Sequence, residues 1–158
     1  MSELRTNRIV PRDGLVSGTG IGGGIIQIKQ TIKKDQFTTA QVVGSGYTDL
    51  TGLNVTITPT RSDSKILIEC SIYNSNANAV NFFRILRGNT FIEQPSGTSS
   101  SGANWNAHGF AYFNCNNWQD TTVIKILDSP ATTSATTYKV QCAVTSAVCT
   151  ICLLYTSP

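Results

Sequence analysis

Apolar and polar residues alternate along several short segments of the chain. In "LNVTITP", Leu53, Val55 and Ile57 are separated by polar residues, and the same period of two recurs in "KILIECSIYNS" and "TTYKVQCAV". A period of two places successive side chains on opposite faces of an extended segment, as in a β-strand with one buried face. These segments therefore predict half-buried strands.

The segment "NAVNFFRILRGNTFI" differs, because apolar residues occupy both faces of its first half. Gly88 and Asn89 follow, and both residue types tolerate the positive φ angles of a tight turn. We predict a hairpin whose first strand is either central in its sheet or covered by another subunit. For the second case, the predicted oligomer interface consists of Phe82, Phe83 and Ile85.

Further strand patterns occur in "FAYFNC", "TTVIKIL" and "SAVCTI", separated by turn-forming residues. About eight or nine short strands at this spacing are typical of an all-β, antiparallel β-sandwich of jelly-roll type, which is the predicted fold class. The predicted domain spans residues 25–151. It follows an N-terminal attachment arm and a glycine-rich linker at residues 1–24.

Composition narrows the classes of function. The 158 residues suffice for one domain, and 13% of them are charged, about half the usual share. The net charge of +3 is scattered, whereas nucleic-acid binding needs Lys and Arg concentrated on one face. No run approaches the roughly 18 apolar residues of a membrane span. We expect no nucleic-acid partner and no membrane insertion.

The five cysteines are an odd number in a chain too large to need disulfide staples. Some of them occupy alternating strand positions as small apolar residues do, so we expect reduced, buried thiols. Cys149 and Cys152 have C-x-x-C spacing, but one pair cannot supply the four ligands of a structural zinc site. The sequence predicts no metal ligand.

Catalytic motifs are weak in this sequence. Gly18, Gly20 and Gly23 match the spacing of a dinucleotide fingerprint but lack the strand before it and the helix after it. His108 is the only histidine, so a serine nucleophile would depend on a residue inside a long polar loop. The carboxylates form no closely spaced pair, although distant ones can converge in a fold. We expect no enzymatic activity and no cofactor.

Two sets of side chains are candidates for binding. Trp105 and His108 lie in the polar loop "PSGTSSSGANWNAHG", where an exposed aromatic ring suits a receptor or glycan contact; packing under the loop or at a subunit interface is the alternative. Arg84 and Arg87 lie near the hairpin turn. We predict that they pair across strands with Glu69 or Glu93, and the alternative is an anion site.

The N-terminal segment "SELRTNRIVPRDG" combines basic, acidic and apolar residues. Glu3 and Asp13 offset most of the positive charge, which argues against a phosphate-seeking tail. Glycines between residues 18 and 24 separate this segment from the domain. We predict an attachment or chain-aligning arm that acts through Leu4, Arg5, Arg8, Ile9 and Arg12.

Several of these segments together resemble small structural proteins of tailed bacteriophages, especially tail-fibre and related virion proteins of aquatic phages. They are "SELRTNRIVPRDG" with "GIIQIKQT", "LNVTITPTRSDSKILIECSI", "NFFRILRGNTFI" and "ILDSPATTSATTYKVQ". The core pattern is also similar to the jelly-roll heads of complement C1q-like trimers.

The C-terminal "CLLYTSP", residues 152–158, resembles the translation of a transposon end used in preparing sequencing libraries. We predict that these seven residues are a non-native artefact, and the rival interpretation is a genuine terminal strand.

The phage resemblance implies a non-enzymatic virion structural protein, made in the host cytoplasm and carried on the phage tail or particle surface. It implies a tail-fibre or receptor-binding component, a homotrimer, whose arm contacts other tail or virion proteins. The β domain would then face a host-surface glycan or protein. The alternatives are a head-decoration protein and a stand-alone carbohydrate-binding module that uses Trp105.

Overall fold

The computed structural model describes residues 25–76, 80–92, 111–114, 119–146 and 148–152. These residues contain one 3₁₀ turn, Val43–Ser45, and no α-helix, so the predicted all-β class is confirmed. The strands are β1 Gln36–Thr39, β2 Thr48–Ile57, β3 Ile66–Asn76, β4 Val80–Arg87, β5 Thr90–Phe91, β6 Ala111–Asn114, β7 Gln119–Asp128, β8 Thr136–Val144 and β9 Cys149–Cys152.

The strands form two antiparallel sheets. One sheet has the order β1-β9-β3-β7, and the other has the order β2-β8-β4-β5 with β6 also paired to β4. Strands distant in sequence, such as β1 with β9 and β2 with β8, are therefore neighbours in space. Such long connections between two packed sheets are those of a jelly roll. The predicted β-sandwich is confirmed.

The core lies between the two sheets and consists of the inward positions of the alternating segments. Leu53 of β2 belongs to it, and Val55 and Ile57 pack against it from the same face of the strand. The inward positions of β3 and β8 repeat the pattern. The period of two in the sequence therefore identified the buried faces correctly. Further core side chains from β3, β7 and β8 include Ile72, Ile124, Ile126, Tyr138, Val140, Cys142 and Val144.

Strand β4 is central in its sheet, paired with β8 on one side and with β5 and β6 on the other. Phe82, Phe83 and Ile85 are only 2%, 0% and 1% exposed within the single chain, and Phe83 and Ile85 belong to the core. A side chain without exposed surface cannot form an interface between copies. We therefore correct the interface assignment: the strand is apolar on both faces because its own chain covers both.

The predicted hairpin after β4 is present but short. Gly88 has a φ of 59°, in the left-handed region that favours glycine, and Arg87 pairs with Thr90 across the turn. Strand β2 begins at Thr48, five residues before Leu53, where the alternating sequence pattern starts. Gly52, with a φ of 85°, lies where the register between β2 and β8 shifts.

Strand β9 lies between β1 and β3, and its Ile151 is fully buried. The predicted domain boundary at residue 151 therefore falls inside a strand that ends at Cys152. The rest of the predicted artefact, residues 153–158, lies outside the described residues. So do the whole predicted arm, including Leu4, Arg5, Arg8, Ile9 and Arg12, and the loop with Trp105 and His108.

A polar contact near one end of the sandwich connects the two sheets. The Arg87 guanidinium of β4 donates to both carboxylate oxygens of Asp128 at the end of β7, at 2.9 Å each. The Tyr138 hydroxyl of β8 donates to the same carboxylate at 2.6 Å. Of the two predicted partners of Arg87, Glu69 is wrong, because Arg87 pairs with Asp128 and Glu69 pairs with Lys125; Glu93 lies outside the described residues.

Candidate binding surfaces

The outer surface of the β3 and β7 pair carries exposed apolar side chains. Leu67, Val123 and Leu127 are 64%, 52% and 57% exposed, and Leu67 lies directly opposite Leu127. We call these three residues the β3–β7 face. Three exposed large apolar side chains on one pair of strands differ from the single exposed residues that any protein surface shows. This face is therefore a candidate interface.

A polar pair divides the β3–β7 face. Glu69 lies opposite Lys125, between the Leu67–Leu127 pair and Val123, and the side chains of Glu69 and Lys125 form an ion pair at 3.2 Å. Beyond Val123, the Tyr73 hydroxyl donates to the side-chain oxygen of Gln119. The β3–β7 face therefore combines exposed apolar side chains with one ion pair between them.

An apolar cleft adjoins Leu67. The segment before β1 presents Ile25, Ile26 and Ile28, which are 81%, 58% and 77% exposed. These residues and Leu67 line a cleft of about 490 Å³. The exposed apolar surface of the described residues therefore extends from this segment onto β3.

The other sheet has a polar and aromatic group on its outer surface. We call Tyr47, Asp49, Arg84, Phe91 and Gln141 the Arg84 cluster. The Arg84 guanidinium carbon lies 3.9 Å from the centre of the Tyr47 ring and 5.7 Å from that of Phe91. Its Nε donates to the Gln141 Oε1 at 2.7 Å. Stacking and this hydrogen bond together fix the plane of the guanidinium.

Asp49 connects the Arg84 cluster to neighbouring residues. The Gln141 Nε2 donates to Asp49 Oδ1 at 2.5 Å, and Lys139 Nζ donates to Asp49 Oδ2 at 3.0 Å and to Asn89 Oδ1 at 3.3 Å. The hydrogen bond from Gln141, followed by that from Lys139, holds the pKa of the Asp49 carboxyl below its usual value. The carboxylate is therefore charged at neutral pH and occupied on both oxygens.

The sequence predicts that Arg84 pairs with Glu69 or Glu93, with an anion site as the alternative. The structure excludes Glu69, which bonds Lys125 on the other sheet, and Glu93 lies outside the described residues. Burial lowers the pKa of Arg84, and the nearby Tyr47 and Asp49 act in the opposite sense. The guanidinium nevertheless stays protonated at neutral pH, as arginine does in proteins generally.

The hydroxyl of Tyr47 is buried and has no hydrogen-bond partner among the residues that the structure describes. Burial raises the pKa of Tyr47 to about 12. An unpaired buried hydroxyl destabilises a fold by about 1–3 kcal/mol. The ring of Tyr47 thus supports Arg84, while its hydroxyl contributes nothing favourable to the folded chain.

Tyr47→Phe should therefore raise the thermal midpoint, by about 2–4 °C, because the ring remains and the unpaired hydroxyl is removed. Differential scanning calorimetry at pH 7 measures this. The folded chain keeps the Tyr47 proton up to a pKa of about 12, whereas an ordinary tyrosine releases it near 10. Wild type should lose stability across that window, and the variant's advantage should widen. A lower midpoint for the variant would show that the hydroxyl has a partner.

The thiols of Cys70 and Cys142 are poorly reactive. Both cysteines are free, and burial raises the pKa of each thiol to about 12. Cys142 is buried, as expected of the cysteines, and Cys70 is half-buried. Within the described ranges, no group of three His, Cys, Asp or Glu side chains is arranged to hold a metal ion. None of the helices there is long and apolar enough to cross a membrane.

Sequence reasoning missed the β3–β7 face. Its signal was present, since Leu67 occupies a polar-face position in "KILIECSI" and Val123 and Leu127 do so in "TTVIKIL". The sequence analysis predicts an interface from apolar residues on both faces only for β4. The chain matches no protein-family profile, and no curated protein is significantly similar to it.

Proposed function

We propose that this chain is a non-enzymatic structural protein of a phage virion, a tail-fibre or receptor-binding component that displays its jelly-roll domain to the host surface. The sequence resemblance supports the virion assignment. The observation that carries the display role is the exposed apolar surface formed by the β3–β7 face and the adjoining cleft. A domain presented in several copies needs a surface through which the copies associate.

The association we propose is a homotrimer in which the β3–β7 face of each copy packs against its neighbours. Exposed apolar patches of this kind mark sites of protein association. The Glu69–Lys125 pair within this face supplies one charge of each sign, so that each copy offers a partner for a charge of either sign on its neighbour. Aligned copies would also cover sheet edges that otherwise invite aggregation.

Placing lysines on the β3–β7 face should dissociate the oligomer. For Leu67→Lys with Leu127→Lys, we expect the mass by light scattering to fall from three chains to one, because two charges would have to be buried at the interface. The thermal midpoint should change little, since both side chains are more than half exposed. Asn54→Lys with Thr58→Lys adds the same charge at exposed positions of the other sheet and its margin. This control should remain a trimer.

A wild-type mass of 17.0 kDa at micromolar concentration would overturn the trimer. So would dissociation of the control to the same extent as the double variant. The head-decoration alternative is separated by gold-labelled antibody against the domain on purified particles. Label on the tail supports the tail-fibre role, and label confined to the capsid contradicts it.

A carbohydrate-binding module remains the second candidate function. The Arg84 cluster favours it, because aromatic rings beside amide and charged side chains are the usual lining of sugar sites. This activity need not exclude the first, since a receptor-binding component of a virion also contacts glycans.

A further inference from the structure

We propose that the Arg84 cluster binds a carboxylated sugar, with the Arg84 guanidinium receiving the carboxylate. The inference rests on the second candidate function, a carbohydrate-binding module, and names the chemical class of its ligand; it concerns a site on one chain and holds whether or not the chain is a virion protein. It rests on the fixed orientation of Arg84, on the hydrogen-bonding groups that remain unused around it, and on the charge of the surface.

The Arg84 guanidinium has a fixed orientation that suits a planar anion. Its Nε is bound to Gln141, and its guanidinium contacts the rings of Tyr47 and Phe91. The terminal nitrogens Nη1 and Nη2 make no hydrogen bond to any residue that the structure describes. A guanidinium with fixed orientation and free terminal N–H groups matches a carboxylate through two parallel hydrogen bonds. Little conformational entropy is then lost on binding.

Unused donors lie around Arg84. Each oxygen of Asp49 accepts one hydrogen bond, and the side-chain oxygens of Gln141 and Asn89 accept from Arg84 and Lys139. Among the described residues, the Asn89 amide nitrogen and the third N–H of Lys139 remain as donors near the Arg84 terminus. A ligand that supplies acceptors complements these donors. A carboxylate with neighbouring hydroxyl oxygens does so.

The aromatic rings favour a sugar over an acidic peptide. The half-buried Tyr47 and Phe91 rings offer apolar surface beside the guanidinium, against which the face of a sugar ring packs. Sugar hydroxyls can rotate to accept from Asn89 and Lys139. Arg84 and Lys139 against Asp49 leave one net positive charge, which suits a single carboxylate at the guanidinium.

The test is a calorimetric titration of the full chain with trigalacturonic acid and with its methyl ester, which has the same rings without the charge. Wild type should bind the acid at least about tenfold more tightly than the ester. Arg84→Lys keeps the charge but loses the planar fork, and should weaken binding of the acid by about tenfold. Arg61→Lys is the matched control, since Arg61 pairs with Asp63 outside the cluster. It should bind as wild type does.

Tyr47 provides a second variant. Tyr47→Leu removes the ring that stacks on Arg84 and should lower the affinity for the acid by about threefold or more. Circular dichroism verifies folding, and if Arg84→Lys fails to fold, the acid-to-ester ratio on wild type and Tyr47→Leu decide. Equal binding of acid and ester, no binding of the acid, or an undiminished Arg84→Lys overturns the proposal. Tighter binding of a triaspartate peptide than of the uronate overturns the choice of a sugar.

The outcome of the binding test does not depend on the outcome of the oligomer test. The variant with Leu67→Lys and Leu127→Lys carries an unaltered Arg84 cluster on the opposite sheet. It should bind the acid with wild-type affinity even as a single chain. Loss of binding in that variant would show that the site needs a neighbouring copy and contradict a site on one chain.

Discussion

Phe83→Ala should destabilise the domain by about 3–5 kcal/mol, which is a large part of the total stability of an ordinary domain. Phe83 is fully buried and lies opposite Cys142 of the neighbouring strand, so its removal leaves a cavity between the sheets. Urea unfolding followed by tryptophan fluorescence measures the loss. The variant should therefore show a much lower urea midpoint.

Phe83→Leu is the graded control and should lose about 1 kcal/mol, because most of the volume is kept. The two variants also separate burial within the chain from burial between copies. A Phe83→Ala protein with a normal midpoint but a reduced oligomeric mass would restore the interface assignment for this strand. A large loss of stability that does not depend on protein concentration supports the correction.

Asp128→Ala should destabilise the domain by about 2–3 kcal/mol. The side chain of Asp128 is 11% exposed and that of Arg87 is 32% exposed, so the ion pair is partly shielded from water. Its loss leaves Arg87 unpaired and the Tyr138 hydroxyl without its acceptor, and unpaired buried groups are costly. Thermal unfolding of the variant measures the effect. A change below about 0.5 kcal/mol would contradict this role of the contact.

Replacing all three side chains of this contact should lower the free energy of unfolding much less than Asp128→Ala does. Arg87→Met, Asp128→Leu and Tyr138→Phe together remove both charges and the hydroxyl while keeping apolar volume. Such replacements of buried ion pairs are often neutral or stabilising. The triple variant should therefore be more stable than Asp128→Ala. If it is equally destabilised, the loss in Asp128→Ala comes from packing and not from unpaired polar groups.

The sequence predicts which face of each alternating strand is buried, because burial of one face imposes a period of two. It does not decide the case of β4, where both faces are apolar. Phe82 and Phe83 have the same pattern whether a second copy or the rest of the chain covers them. Only the pairing of β4 with β8 on one side and with β5 and β6 on the other shows that the strand is central.

The Arg84 cluster could not be predicted for a different reason. Asp49 and Gln141 are 92 positions apart in the chain and meet because β2 pairs with β8 in a particular register. Arg84 joins them through the pairing of β4 with β8. A one-residue slip in either pairing would turn these side chains to the other face. Local sequence patterns carry no information on the register of strands so far apart.

Strands β3 and β7 pair without a bulge from Ile66 and Asp128 to Ser75 and Gln119. Inward apolar side chains along this ladder, such as Ile72 and Ile124, belong to the core, whereas outward ones such as Leu67 and Leu127 are exposed. Single substitutions on the outside can therefore alter which surfaces the molecule recognises while its folding stays intact. The outer surface of the β3 and β7 pair can therefore change its contacts between related chains while the fold stays the same.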